Sequence, residues 1–304
     1  MESNVEIKIN KDEVKTVRPA LVVWRRLKRN KLAIAGLVIL ICMILISIFG
    51  PFLSPYNLES MDTANLYSPP SFAHLLGTDQ LGRDILYRVM YAGRISIAVG
   101  FVAIILEVIL GSILGSIAGY YGGIVDTIIM RFVDIMLCVP MLPILIVLAT
   151  VMSDLKVPTQ YRIIVVMFII GMLSWPSLCR IIRGQILTLR EQEFMQAAEA
   201  LGLSDRRKMF KHLLPNTVPT IIVTATLDIG GAILYESILS FLGLGVIPPT
   251  PSWGNMVQVV SDLYSMQNYP WLWIPPGICI FVTVMSINLF GDGLRDALDP
   301  KLKR

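Results

Sequence analysis

The segment QAAEALGLSDRRKMFKHLLPN, residues 196–216, lies between two long apolar runs. It is polar and basic, so it belongs outside a bilayer, where charged side chains are costly. Phe194, Ala197, Ala198 and Leu201, spaced three, one and three apart, share one helical face, while Glu191, Glu193 and Glu199 fall elsewhere. This pattern predicts a short amphipathic helix that breaks at Gly202, because glycine accepts a sharp turn at little cost. A second short helix follows, with Ser204 placed to cap it and Pro215 to stop it and set the entry into the next apolar run. A small amphipathic helix bearing alanines can seat in a groove on a partner protein.

The surrounding composition fixes the class. Hydrophobic residues make up 55% of the 304 residues and charged ones 16%, with a mean hydropathy of +0.67. A soluble domain carries about 25% charge. Six runs, near 32–53, 95–119, 132–152, 161–182, 217–242 and 272–291, are apolar and long enough to cross a membrane. Lipid offers backbone groups no hydrogen-bond partner, so the expected fold is an all-α polytopic membrane protein with six transmembrane helices. The first run is too long for the core of a signal peptide and has no small-x-small site after it, so it reads as a retained anchor. Lysine and arginine cluster in 1–31, 180–211 and from Arg295 onward, with Arg131 between, 21 in all against five in the opposite segments. That bias predicts both termini and the loop 183–216 on the cytoplasmic side.

Residues 1–20 lack an apolar period and read as loosely attached, and VVWRRLKRNKL, 22–32, as a basic helix on the membrane surface. The expected organisation is a cytoplasmic tail over 1–31, a first span with an extracellular loop over 32–94, and a transmembrane core over 95–304. In the second run Gly100, Ala103, Glu107 and Gly111 share a face that Gly115 and Gly119 extend, the small-residue pattern of close helix packing in lipid. Glu107 on that face looks toward protein or water. In the fifth run Thr224, Asp228, Gly231 and Tyr235 share a face, with Glu236 about 80° around. These carboxylates either border an aqueous pathway or hydrogen-bond to neighbouring helices or a partner. Arg131 and Asp134 are placed to pair with each other, and Trp253, Trp271 and Trp273 suit an outer interfacial belt. Cys42, Cys138, Cys179 and Cys279 have no metal-ligand spacing and read as packing residues. No basic patch suited to nucleic acid appears.

Three stretches resemble the permeases of bacterial ABC importers. Gln196, Ala197, Ala198, Gly202, Leu214 and Pro215 match the "EAA" loop of that family. HLLGTDQLGRD, with Gly77, Thr78, Asp79, Gly82, Arg83 and Asp84, is similar to an element ahead of the second span in the dipeptide, oligopeptide and nickel group, where Thr78 or Asp79 can cap the helix. SFLGLG and PPTPSWGNM, within 240–256, also resemble that group. The chain departs from the loop pattern at Gln196, where the family has glutamate, and at His212, where it has an apolar residue, although a His-x-Leu-Pro-Asn ending fits the peptide members. The resemblance implies the type I ABC importer permease fold in a bacterial inner membrane. It implies a second, related permease, two ATP-binding subunits and an extracellular substrate-binding protein as partners, besides membrane lipid. Phe194, Gln196, Ala197, Ala198, Leu201, Gly202, His212, Leu214 and Pro215 would form the ATPase-coupling loop. Glu107, Thr224, Asp228, Tyr235 and Glu236 would border the pathway.

The chain contains no Gly-Lys pair and hence no phosphate loop, no H-E-x-x-H metal motif and no G-x-S-x-G elbow. It is therefore expected to be a non-enzymatic subunit without a catalytic residue, metal site or cofactor of its own, ATP and magnesium residing in the ATPase partners. Peptides, nickel chelates and oligosaccharides are the cargo alternatives. An ion-coupled secondary transporter using Glu107, Asp228 and Glu236 is the rival mechanism, and inverted repeats or broken helices would favour it.

Overall fold

The computed structural model describes residues 19–299. The loosely attached tail expected before residue 19 and the basic residues after 299 lie outside it. Helix α1, Pro19–Arg29, is the expected basic amphipathic segment. Its Leu27 is buried against Ala33 and Ala297, and Arg26 Nη1 donates to the Asp299 carbonyl at 3.0 Å. The Asn30 side chain then accepts from Ala33 N–H at 3.1 Å and starts α2, Lys31–Leu53.

Helix α3, Ile85–Tyr121, starts ten residues before the second apolar run. Its 37 residues are about 55 Å long, well beyond a hydrocarbon layer of about 30 Å. Arginines in its first turns find partners, so that part need not contact lipid. Arg94 donates to the carbonyls of Ser47 and Ile48 at 2.8 and 2.5 Å. The cap is neither Thr78 nor Asp79 but Asp84, which accepts from Tyr87 N–H at 2.7 Å. The continuous span expected over 132–152 is broken. Helices α4, Gly123–Cys138, and α5, Met141–Asp154, meet at a bend of 77°. Pro140 has no N–H for the ladder and forces Val139 into extended conformation, φ −85° and ψ 121°.

Helix α6, Thr159–Arg190, runs past its predicted end and leads to α7, Glu193–Ala200. Helix α8, Asp205–Arg207, passes through a π-helical stretch, Lys208–Leu213, directly into α9, Leu214–Phe241. Pro215 therefore does not stop a helix. It sits in the first turn of α9, directly after the π-helical stretch. Two short helices, α10 (Trp253–Val257) and α11 (Leu263–Asn268), precede α12, Ile274–Leu298. Among the described residues there is no strand beyond an isolated bridge between Thr78 and Asp84. Five helices are long and apolar enough to cross a membrane, or six if the bent α4–α5 pair counts as one.

Helix α3 is the centre of the bundle and packs on α6, α9 and α2. It lies parallel to α6: Ala103 faces Gly171, Gly111 faces Leu178, and Gly119 faces Ile186. The glycine stripe is the packing surface. A Cβ on Gly115 would sit 2.6 Å from the Cys179 carbonyl oxygen, and one on Gly119 2.8 Å from Ile186 Cβ. Higher on α3, Gly100 turns to Ile229 and Ile233 of α9. The bundle thus has two polar ends. One carries α1, the ends of α3 and α6, and the loop through α7. The other carries segments 54–84 and 242–273.

Gly115→Leu should separate α3 from α6, because backbone carbonyl blocks the added carbons. We expect a loss of about 1–3 kcal/mol or failure to fold, read as a lowered unfolding temperature in detergent, with Gly184→Ala, whose site is open, as the tolerated control.

Candidate functional site

The loop 191–213 emerges where α6 ends. Arg190 Nη1 donates to the Tyr120 carbonyl at 3.0 Å, so α6 and α3 finish together. Two turns earlier Arg183 grips Asp126 with two hydrogen bonds, 2.9 and 2.5 Å. Asp134 pairs with Arg180 at 2.5 Å, and not with Arg131 as the spacing suggested. Helix α7 then turns Met195 and Ala198 inward, 4% and 5% exposed. Phe194, Gln196, Ala197 and Leu201 are exposed, Leu201 at 78%. The amphipathic face drawn from the sequence is therefore divided: Ala198 faces the chain's own body with Met195, while Phe194, Ala197 and Leu201 face away. Gly202 has φ +67° and open space around its Cα. Ser204 stands at the start of α8 without a side-chain cap bond.

After the turn, the chain is fastened again. Asp205 accepts from the Tyr120 hydroxyl at 2.6 Å and pairs with Lys208 at 3.0 Å. Lys208 also lies 3.7 Å from Glu199 of α7 and stands over the Tyr120 ring at 5.6 Å. Of the remaining predicted loop residues, His212 is half-buried, with its carbonyl accepting from Asn216 at 2.6 Å and its Nε2 without a partner among the described residues. Leu214 packs with Leu178, Ile182 and Ile186, and Pro215 is exposed.

Within the bundle, Glu107 is fully buried and neighbours Asp228, and neither of its oxygens receives a donor from the described residues. Asp228 and Thr224 are half-buried, as is the whole stretch 223–229. Tyr235 packs against Val99, Ala232 and Leu239. Glu236 is in a different setting. Its carboxylate accepts from Ser96 at 3.0 Å and from Ser240 at 2.6 Å. Those hydroxyls accept in turn from Trp253 N–H at 3.2 Å and Val246 N–H at 2.9 Å. Glu236 thus ties α3, α9 and the following loop together. Trp253, expected in an interfacial belt, is 1% exposed and donates from its indole to the Val89 carbonyl at 3.0 Å. Trp271 and Trp273 are half-buried, donating to the carbonyls of Thr78 and Met266.

The G-T-D-x-x-G-R-D element is the keystone of that end. Asp79 accepts from Leu81 N–H, Arg83 N–H and Arg83 Nε at 2.8, 3.0 and 2.7 Å, and Arg88 lies 3.7 Å away. The Thr78 hydroxyl bonds to the Asn65 carbonyl and accepts from Ser68 N–H. Asp84 pairs with His74 at 3.0 Å while capping α3. Tyr67 stacks on Tyr269, joining the segments 54–84 and 242–273, with ring centroids 4.3 Å apart. In the loop above, the Asn65 side chain and Ala64 N–H hold the Asp62 carboxyl below the usual carboxylate range. Sequence reading missed Met195, Tyr120 and Lys208. Only the spacing of Asp205 and Lys208 was a local signal, and their partner lies 85 residues away.

The arrangement defines a polytopic helical membrane protein that presents a fastened polar loop at one end and a closed cap at the other. The chain belongs to the family described as binding-protein-dependent transport system inner membrane component, which matches residues 111–304. Residues 19–70 match the N-terminal transmembrane domain of oligopeptide transport permease C. The chain is 42% identical over 298 residues to the oligopeptide transport system permease protein OppC of Bacillus subtilis (strain 168), covering 96% of this chain and 94% of that one. It is 41% identical to the dipeptide transport system permease protein DppC of Alkalihalophilus pseudofirmus, over 96% and 93% of the two chains. It is also 38% identical to the glutathione transport system permease protein GsiD of Escherichia coli O6:K15:H31, over 97% and 94%.

Replacing Glu236 by leucine should leave two buried hydroxyls and the Trp253 loop without their shared anchor. We expect a loss of about 1–3 kcal/mol, seen as a lower unfolding temperature in detergent, and a smaller loss for Glu236→Gln, which keeps an acceptor.

Proposed function

We propose that this chain is one permease subunit of an ABC importer that carries peptides across a bacterial inner membrane. It pairs with a second, related permease. ATP and magnesium are bound by two ATPase subunits on the cytoplasmic side, and an extracellular binding protein delivers cargo. In this reading α4 and α5 together make one of six spans. The lysine and arginine bias supports a cytoplasmic position for α1, the C-terminus and loop 183–216. Residues 1–31 are then a tail, 32–94 the first span with its outer loop, and 95–304 the transporting core.

The observation that carries the reading is the exposed apolar face of α7. Phe194 and Leu201 stand away from the body while Met195 and Ala198 fasten the helix to it. A short helix that leaves large apolar groups outside the membrane has the form of a ligand for a groove on another protein. This is the seat expected for the ATPase. Names of relatives from three genera support peptide cargo. Within the bundle, the half-buried first half of α9 supports a pathway past Thr224, Asp228 and Tyr235, with Glu107 beside it. Glu236 serves that pathway from behind, by holding the outer loop to α3 and α9.

One observation favours a rival: the buried Glu107 beside Asp228 suits an ion relay. Uptake in liposomes driven by an ion gradient without ATPase subunits would establish it.

Leu201→Cys should cross-link to the ATPase subunit in the assembled importer, while a cysteine at exposed Leu155 should not. Valine at position 202 must adopt a conformation that β-branched residues resist, at about 1–2 kcal/mol or more. Gly202→Val is expected to lower peptide uptake about tenfold or more with normal membrane insertion. Wild-type uptake by that variant would count against the loop as the point of coupling.

A further inference from the structure

The turn at Gly202 poses a mechanical problem. Met195 and Ala198 fasten α7 to the body, but nothing crowds the turn itself, so the turn offers little resistance to a shift of α7 against the chain that follows. The residues around it are exposed, from Glu199 through Leu201 and on to Asp205–Arg207. One buried cation spans the gap. The Lys208 side chain is only 9% exposed, yet it belongs to the chain after the turn. Its ammonium meets Glu199, before the turn, at 3.7 Å, and Asp205, after it, at 3.0 Å. The Tyr120 ring lies 5.6 Å below it, and the Tyr120 hydroxyl donates to the same Asp205. Tyr120 is the penultimate residue of α3, and its carbonyl is held by Arg190 of α6. The lysine therefore touches, at one point, the helix that would be pushed and the inner end of the central span.

We infer that Lys208 is a positioning residue for energy coupling: it locks α7 to the end of α3, so that displacement of α7 is passed to α3 and is not dissipated at Gly202. The inference rests on the reading of this loop as the ATPase seat. Glu199 and Asp205 are 77% and 53% exposed, so water screens their attraction. The contact with Tyr120 is what gives the lock its definition, as the lysine stem is covered there and its ammonium lies 5.6 Å from the ring centroid.

The experiment uses the assembled importer in proteoliposomes with its binding protein, and reads labelled trialanine uptake and ATP hydrolysis together. Lys208→Met, close in length and uncharged, should retain most binding-protein-stimulated ATPase activity while trialanine carried per ATP falls about three- to tenfold. Tyr120→Phe, which keeps the ring and removes only the bond to Asp205, should show a smaller fall of the same kind. Lys208→Arg should restore part of the ratio. A proportional loss of uptake and hydrolysis, with the ratio unchanged in both Lys208→Met and Tyr120→Phe, overturns the lock and leaves only a structural role. The Leu201→Cys cross-link, measured in the same preparations, separates the two ideas. If it forms and the ratio does not change, the lock fails and the ATPase seat stands. If it does not form, the seat itself fails, and the lock fails with it.

Discussion

Helices in lipid gain little from hiding apolar surface from one another, because the surrounding tails are equally apolar. Close contact between backbones has to supply what the hydrophobic effect supplies in water. Here that contact is the line along which α3 lies on α6, with Gly111, Gly115 and Gly119 set against Leu178, Cys179, Ile182 and Ile186. The rest of the bundle is arranged around it. Helix α9 uses the first half of the same helix at Gly100, and the loop after α6 uses its C-terminal end at Tyr120. A single helix therefore joins the cap, the candidate pathway and the loop at the opposite end.

The cap is built by different physics. Its segments form an apolar cluster with the start of α3, including Trp253, Met256 and Leu272 with Ile85 and Val89, and charge and hydrogen bonds fix the turns around it. Asp79 and Asp84 each take several donors, and Glu236 reaches the same region from inside the bundle. Buried carboxylates of this kind are held by the donors around them, and removing those donors leaves a costly orphan. The G-T-D-x-x-G-R-D element is, in its contacts, a folded junction between the segment 54–84 and the central helix α3.

Much of this was legible in the sequence, and the illegible parts share a cause. The long helices announced themselves because twenty apolar residues in a row are a local signal. The start of α3 at Ile85 did not, since Arg88 and Arg94 read as external until their partners are known, and those partners are Asp79 and two carbonyls of α2. Pro140 was visible, but a proline alone does not say whether a helix kinks or turns through 77°. The four residues drawn as one apolar face of α7 are divided in the structure, because periodicity cannot tell which apolar residue meets the chain's own body. Met195 and Ala198 do, and Leu201 does not. Contacts such as Tyr120 with Asp205, or Asp134 with Arg180, join distant segments and leave no trace in spacing.

The π-helical stretch at Lys208–Leu213 governs how the loop tolerates insertion and deletion. Such a stretch holds one residue more than an α-helix of the same rise. A relative lacking that residue would close the stretch as ordinary α-helix and turn α8 by about 100° relative to α9, so that the loop ahead of it would have to re-seat. Leu201 and Phe194 would then point in a new direction with their sequence unchanged. Chain length in these six positions therefore acts as an angular setting between the loop and α9.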